Sequence, residues 1–131
     1  GYRPFPNAQI KAVIALCKDI MARRGIPPQN ILAHSDIAPE RKEDPGELFP
    51  WEALAKEGIG LWPGADGIEI EEDIRQLLTK AGYDPTANLE KTIIAFQRRY
   101  EQELFRRGGG KPGVASSKTK ALLYALVEKQ V

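Results

Sequence analysis

Thiol chemistry is almost missing from this chain. Cys17 is the only cysteine, so no internal disulfide can form, and the thiol count leaves the compartment open. An excess of one charge is missing too: 19 lysines and arginines against 18 aspartates and glutamates leave +1. That balance gives no electrostatic case for a nucleic-acid partner, which calls for a clustered basic patch. No apolar run approaches the roughly 18 residues that span a bilayer. No signal peptide is legible either, but Gly1-Tyr2-Arg3-Pro4 reads like the interior of a longer chain. What remains is ordinary for a globular chain, 42% hydrophobic and 28% charged. Its 131 residues allow one domain or two small ones.

Histidine is as scarce as cysteine, and the single one, His34, opens the most informative stretch: His34-Ser-Asp-Ile-Ala-Pro-Glu-Arg-Lys-Glu-Asp44-Pro-Gly46. Pro39, Pro45 and Gly46 exclude a helix through most of this run and predict an ordered loop. Imidazole nitrogen and carboxylate oxygen both bind Zn²⁺, and a catalytic zinc takes three protein ligands plus an open position. Ligand chemistry alone is a weak signal, because a lone histidine is more often structural.

The pattern as a whole says more. His-Ser-Asp-Ile-Ala-Pro-x-Arg-Lys-x-Asp-Pro-Gly, followed by Phe49 and Trp51, resembles the second zinc-ligand segment of zinc-dependent N-acetylmuramoyl-L-alanine amidases, over roughly Asn7 to Trp62. The resemblance implies that His34 and Asp44 bind Zn²⁺ and that Lys42 stabilises a tetrahedral oxyanion. In that family the first zinc histidine, and the glutamate or tyrosine that assists catalysis, lie on an upstream strand-rich half. This sequence holds no such half, so general-base duty has no assignment within it.

Before the loop, Ile10, Val13, Ile14, Cys17, Ile20 and Met21 recur at helical spacing, with Asn7 as N-cap and Gly25 as the stop. Cys17 on that face reads as a small buried hydrophobe rather than a metal or redox thiol. Pro27-Pro28 predicts an extended connection into a short strand, Ile31-Leu32-Ala33-His34. Asp36 reads as a turn cap and Arg41 as a solvated or salt-bridged arm. Pro50-Trp51-Glu52 opens a short helix ended by Gly58, with Phe49 in the core. Trp51 and Trp62 have two open readings, a stacking wall for substrate or core packing. One strand cannot form a sheet, and one amphipathic helix cannot bury its face against nothing. Segment 1–62 is therefore expected to be half of an α/β unit, completed by an upstream half that is absent here or supplied as a separate polypeptide.

Residues 63–67 form the expected linker, and 68–131 read as a three-helix bundle. Ile70, Ile74, Leu77, Leu78 and Ala81 line the first helix; Leu89, Ile93, Phe96, Tyr100 and Leu104 line the second. The third starts at Ser116 and points Leu122, Ala125 and Leu126 inward, after a basic loop at 106–113. The run Ala-Phe96-Gln-Arg98-Arg99-Tyr100, with Gly82-Tyr83 before it and Gly113-Val-Ala-Ser-Ser-Lys-Thr119 after, resembles the three-helix peptidoglycan-binding module. Aspartate is usual in that family where Ser116 stands, and serine can fill the same capping role. Phe96 and Tyr100 read as core residues. Arg98 and Arg99 read as a solvated helix face, the other reading being ion pairs with acidic muropeptides.

The fold class expected is thus mainly α: a partial α/β amidase domain over 1–62 and a helical bundle over 68–131. Together the two resemblances imply hydrolysis of the amide between the N-acetylmuramic acid lactyl group and L-alanine of the stem peptide, with Zn²⁺ as cofactor. The partner would be peptidoglycan or muropeptide, and the location the periplasm or cell envelope, with outer-membrane anchoring through an upstream segment one arrangement. A different class of function is a wall-binding module carrying an incomplete catalytic remnant.

Overall fold

A computed structural model describes residues 3–64, 70–106 and 108–130. The first periodic stretch is helix α1 (Asn7–Arg24). Asn7 is its first helical residue rather than its cap, and Pro6 precedes it without a side-chain cap. Gly25, at φ 64°, ends the helix in the left-handed conformation and donates its N–H to Met21 O. Ile10, Val13, Ile14, Cys17 and Met21 rest on a small core of Ala33, Phe49, Trp51, Leu54 and Ile59. No residue of α1 is fully buried, so Cys17 is a half-buried apolar contact.

The expected extended stretch and strand do not form. Pro28–Asn30 is a 3-10 turn, residues 31–33 are irregular, and His34–Ile37 is a one-turn helix, α2. No strand occurs among the described residues. The physical reason is the one that made the strand suspect: its N–H and C=O groups have no ladder partner. The backbone takes local bonds instead, Ile37 N–H to Ala33 O at 3.3 Å and Ala38 N–H to His34 O at 2.9 Å. Helix α3 (Trp51–Lys56) follows as expected, with Pro50 in the capping position.

Of the expected linker 63–67, only Pro63 and Gly64 are described, and the proposed start of the bundle at Ile68 also lies outside the described residues. Helix α4 (Ile74–Lys80) leaves Ile70, read on its face, before its start, where Asp73 accepts the N–H groups of Arg75 at 3.0 Å and Gln76 at 3.3 Å. Helix α5 (Leu89–Tyr100) is capped by Asn88. It stops at Tyr100 because Glu101 leaves helical geometry (φ −131°), which puts Leu104 in a separate 3-10 turn, Gln102–Phe105. Helix α6 (Ser117–Gln130) completes the bundle. Leu77, Leu78, Ile93, Phe96, Tyr100, Leu122, Leu123 and Leu126 form its core. Trp62 is half-buried and packs against both cores, its ring 5.7 Å from that of Tyr100.

Ser116 does cap α6. Its Oγ accepts Thr119 N–H at 3.2 Å, and Thr119 Oγ1 accepts Ser116 N–H at 3.2 Å, a reciprocal box with threonine in the place of the usual acid. Ser116→Ala should cost about 1 kcal/mol, read as a lower urea midpoint at unchanged slope.

Candidate functional site

The loop from His34 to Gly46 is folded back on itself. Ser35 N–H donates to Asp44 O at 3.1 Å, which brings the two ends of the loop together. Between them Arg41 and Lys42 donate N–H to Ala38 O at 3.0 and 2.9 Å, closing a turn after Pro39. The Asp44–Pro45 peptide is cis, and Gly46 has φ 84°. His34 Nδ1 lies 3.1 Å from Asp44 Oδ2. Both side chains are open to solvent, at 48% and 64% exposure. A hollow of about 260 Å³ adjoins Asp44, lined by Arg3, Phe5, Glu43, Pro45, Gly46 and Leu48.

The structure does not bring Lys42 into contact with that pair. It is half-buried in a neighbouring hollow of about 220 Å³, with Pro39, Glu40, Lys91 and Arg98. Among the described residues Lys42 forms no ion pair, so its ammonium is a free charge two residues from Asp44. Nor do His34 and Asp44 gather a third donor, since no cluster of three His, Cys, Asp or Glu side chains occurs among the described residues.

Beneath the loop lies a buried polar hub. Asp36 does cap the turn, accepting Ala33 N–H at 2.9 Å, but it is only 6% exposed and does much more. Its Oδ2 also accepts from Arg99 Nη1 at 2.7 Å, and its Oδ1 from the Tyr83 hydroxyl at 2.8 Å. Arg99 donates from Nη2 to Ile31 O at 2.8 Å, and its guanidinium carbon lies 4.1 Å from the centre of the Trp51 ring. Burial works against the Arg99 charge, but Tyr100, Asp36 and Tyr83 outweigh it, so its pKa is raised and it stays a cation. Burial first, and then the Asp36 carboxylate, push the Tyr83 phenol well above its ordinary range. Gly60 is required here twice over: its φ is 77°, and a Cβ would stand 2.9 Å from Arg99 Nη2.

These contacts overturn the reading of Arg98 and Arg99 as a solvated face. Arg99 is 3% exposed. Arg98 lies 3.5 Å from Glu43 Oε1 through Nη2 and 3.3 Å from Glu47 Oε1 through Nε. Trp51, whose two readings were open, is a core residue at 6% exposure, in edge contact with Phe49 at 4.7 Å between ring centres. Arg41 is exposed, as expected. Tyr83 and Glu47 were missed, and the one sequence signal for Tyr83 was its place at the turn after α4. A further cavity of about 540 Å³ lies between the two cores, lined by Leu32, Ile37, Leu61, Tyr83 and Leu126 among others, with neither His34 nor Asp44 in its wall.

Comparison with known proteins relates the chain to amidases. Residues 1–47 match the N-acetylmuramoyl-L-alanine amidase family. Over 145 residues the chain is 39% identical to N-acetylmuramoyl-L-alanine amidase AmiD of Escherichia coli (strain K12), covering 98% of this chain and 50% of that protein. The AmiD structure in complex with the substrate anhydro-N-acetylmuramic acid-L-Ala-D-gamma-Glu-L-Lys superposes with a TM-score of 0.83, over 98% of this chain and 55% of that one, at 40% identity. AMPDH3 from Pseudomonas aeruginosa gives a TM-score of 0.84 at 31% identity, over 98% of this chain and 56% of that one. The chain is thus homologous to amidases and shares the fold of the part of them that it matches. It spans about half the length of these relatives.

Proposed function

We propose that this chain is part of a zinc-dependent N-acetylmuramoyl-L-alanine amidase, residues 1–62 belonging to the catalytic domain and 68–131 to a peptidoglycan-binding bundle joined by 63–67. The observation that carries the proposal is the approach of His34 Nδ1 to Asp44 Oδ2, 3.1 Å apart and both open to solvent. One imidazole nitrogen and one carboxylate oxygen suit Zn²⁺, and together they supply two of the three donors that a catalytic site takes. In this reading the third donor, a histidine, comes from outside the described residues.

When bound, zinc supplies Lewis acidity that polarises an amide carbonyl and lowers the pKa of a water towards about 7. The chain's own residues do the rest. His34 and Asp44 would hold the ion, and both side chains are open to solvent. Lys42, free of ion pairs among the described residues, places a positive charge where the carbonyl oxygen becomes an oxyanion. The hollow beside Asp44 seats part of the muropeptide, with Phe5 and Leu48 as apolar walls. The bond broken joins the lactyl group of N-acetylmuramic acid to L-alanine. Homology to AmiD, whose substrate complex carries an anhydromuropeptide, supports this substrate class. A bundle that holds wall polymer would raise the local substrate concentration, and the protein would work in the periplasm or cell envelope.

The test is reconstitution. The portion of AmiD that this chain does not match is fused to it, and zinc content and peptide release from anhydromuropeptide are measured. The fusion should hold one zinc per chain and release peptides beginning with L-alanine, whereas the 131 residues alone should bind zinc weakly and release nothing. A folded fusion that binds sacculi but neither zinc nor scissile substrate would leave the wall-binding module as the function.

A further inference from the structure

The arginines that sequence assigns to solvent face the candidate site instead, one for each end of its loop. Helix α5 lies along residues 31–49. At its start, Asn88 N–H donates to the carboxylate of Glu40. Near its end, Arg98 reaches Glu43 at 3.5 Å and Glu47 at 3.3 Å, carboxylates that stand on either side of Asp44. Arg99 binds Asp36 at 2.7 Å, and Asp36 in turn holds the N–H of Ala33, the residue before His34, at 2.9 Å. Arg99 also takes Ile31 O at 2.8 Å, and just past the helix Gln102 Nε2 donates to Phe49 O at 2.8 Å.

The geometry points to α5 as a splint for the ligand pair: Arg99 and Arg98 are positioning residues that hold the backbone at His34 and Asp44, respectively, at the spacing a shared Zn²⁺ requires. This rests on the zinc reading above and deepens it. The ligand side chains are themselves 48% and 64% exposed, so their separation depends on the loop's own Ser35–Asp44 bond and on what holds that backbone. That backbone is tied to α5 at both ends. Groups that orient metal ligands from behind typically carry about 10–100-fold in metal affinity. The same arginines are therefore unavailable to acidic wall polymer, and wall contacts of the bundle must fall elsewhere on it.

His34 is the only histidine, so its imidazole proton resonances are assigned without ambiguity and report zinc directly. Zn²⁺ is titrated into the full chain at a temperature where each variant is folded by circular dichroism. Arg98→Gln should bind about 10-fold more weakly than wild type and Arg99→Met up to about 100-fold. Leu126→Ala, which removes a buried apolar side chain of the bundle core and no hydrogen bond to the loop, should bind as wild type does. Should Arg99→Met fail to fold, Arg98→Gln decides alone, because Arg98 is partly exposed and its loss is tolerable. Arg98→Gln affinity within about threefold of wild type, or an equal weakening by Leu126→Ala, overturns the splint. A folded reconstituted fusion, with all three donors, that takes up no zinc overturns the zinc reading itself, a different result.

Discussion

Asp36→Ala should remove about 3–5 kcal/mol of stability, the cost of breaking a buried ion pair and stranding one partner. For domains whose whole stability is about 5–15 kcal/mol, that is a large fraction. Three losses coincide. Arg99, at 3% exposure, keeps its charge with no counter-ion. The buried Tyr83 hydroxyl loses its acceptor, and Ala33 N–H loses the carboxylate that closes α2. Arg99 cannot escape to water, because it is stacked 4.1 Å from the Trp51 ring and backed by Gly60. Arg99→Met should cost a similar amount by stranding the Asp36 carboxylate. The double variant Asp36→Ala/Arg99→Met should cost clearly less than the sum, since neither charge is then left alone. Urea denaturation of the four proteins measures this. An Asp36→Ala protein within about 1 kcal/mol of wild type would show that the hub carries no such energy.

That hub is also where reading the sequence fell short, for a physical reason. Periodicity tells which helix face is apolar, and it placed Leu77, Leu78, Ile93, Phe96, Tyr100, Leu122 and Leu126 in a core where all of them lie. It treats a charged side chain as solvent-facing unless a partner is visible nearby. Asp36 and Arg99 are 63 residues apart, so the pairing has no local signature. One clue existed: Arg99 sits three positions after Phe96 on α5, next to Tyr100, within the apolar stripe rather than opposite it. The strand at 31–34 failed from the other direction. Ile31-Leu32-Ala33 has strand-like composition, but a strand exists only with a neighbour, and none is present among the described residues. The closeness of His34 and Asp44 is what the family resemblance implies, whereas ligand chemistry alone is a weak signal. The position of Lys42 was not legible, since a long side chain on a turn can swing either way. Within the run that resembles the peptidoglycan-binding module, Gln97, Arg98 and Arg99 serve structural duty. Gln97 takes Gly113 N–H at 2.7 Å and donates to Val114 O at 2.9 Å, and the arginines face the loop.

Two substitutions in the loop should separate holding the metal from stabilising charge. In a protein whose zinc site is complete, His34→Ala should lose zinc and turnover together, because two protein donors rarely retain an ion that three hold. Lys42→Ala should keep its zinc and lose about 10²–10³ in kcat, the usual cost of removing one charge-stabilising donor from an acyl-transfer site. The loss falls on kcat if the ammonium acts only as the oxyanion forms, and on KM if it merely holds the substrate. The two arginines of α5 cannot take over the task. Arg98 shares the hollow with Lys42, but its guanidinium is engaged by Glu43 and Glu47, and Arg99 is buried against Asp36. The Lys42 backbone is held by Ala38 O at 2.9 Å, so truncating the side chain leaves the turn, and hence Asp44, in place. Zinc by atomic absorption and kcat on anhydromuropeptide give the two readouts. A Lys42→Ala enzyme within about tenfold of wild type would remove Lys42 from the chemistry, and one that also loses zinc would make it part of the loop's scaffold.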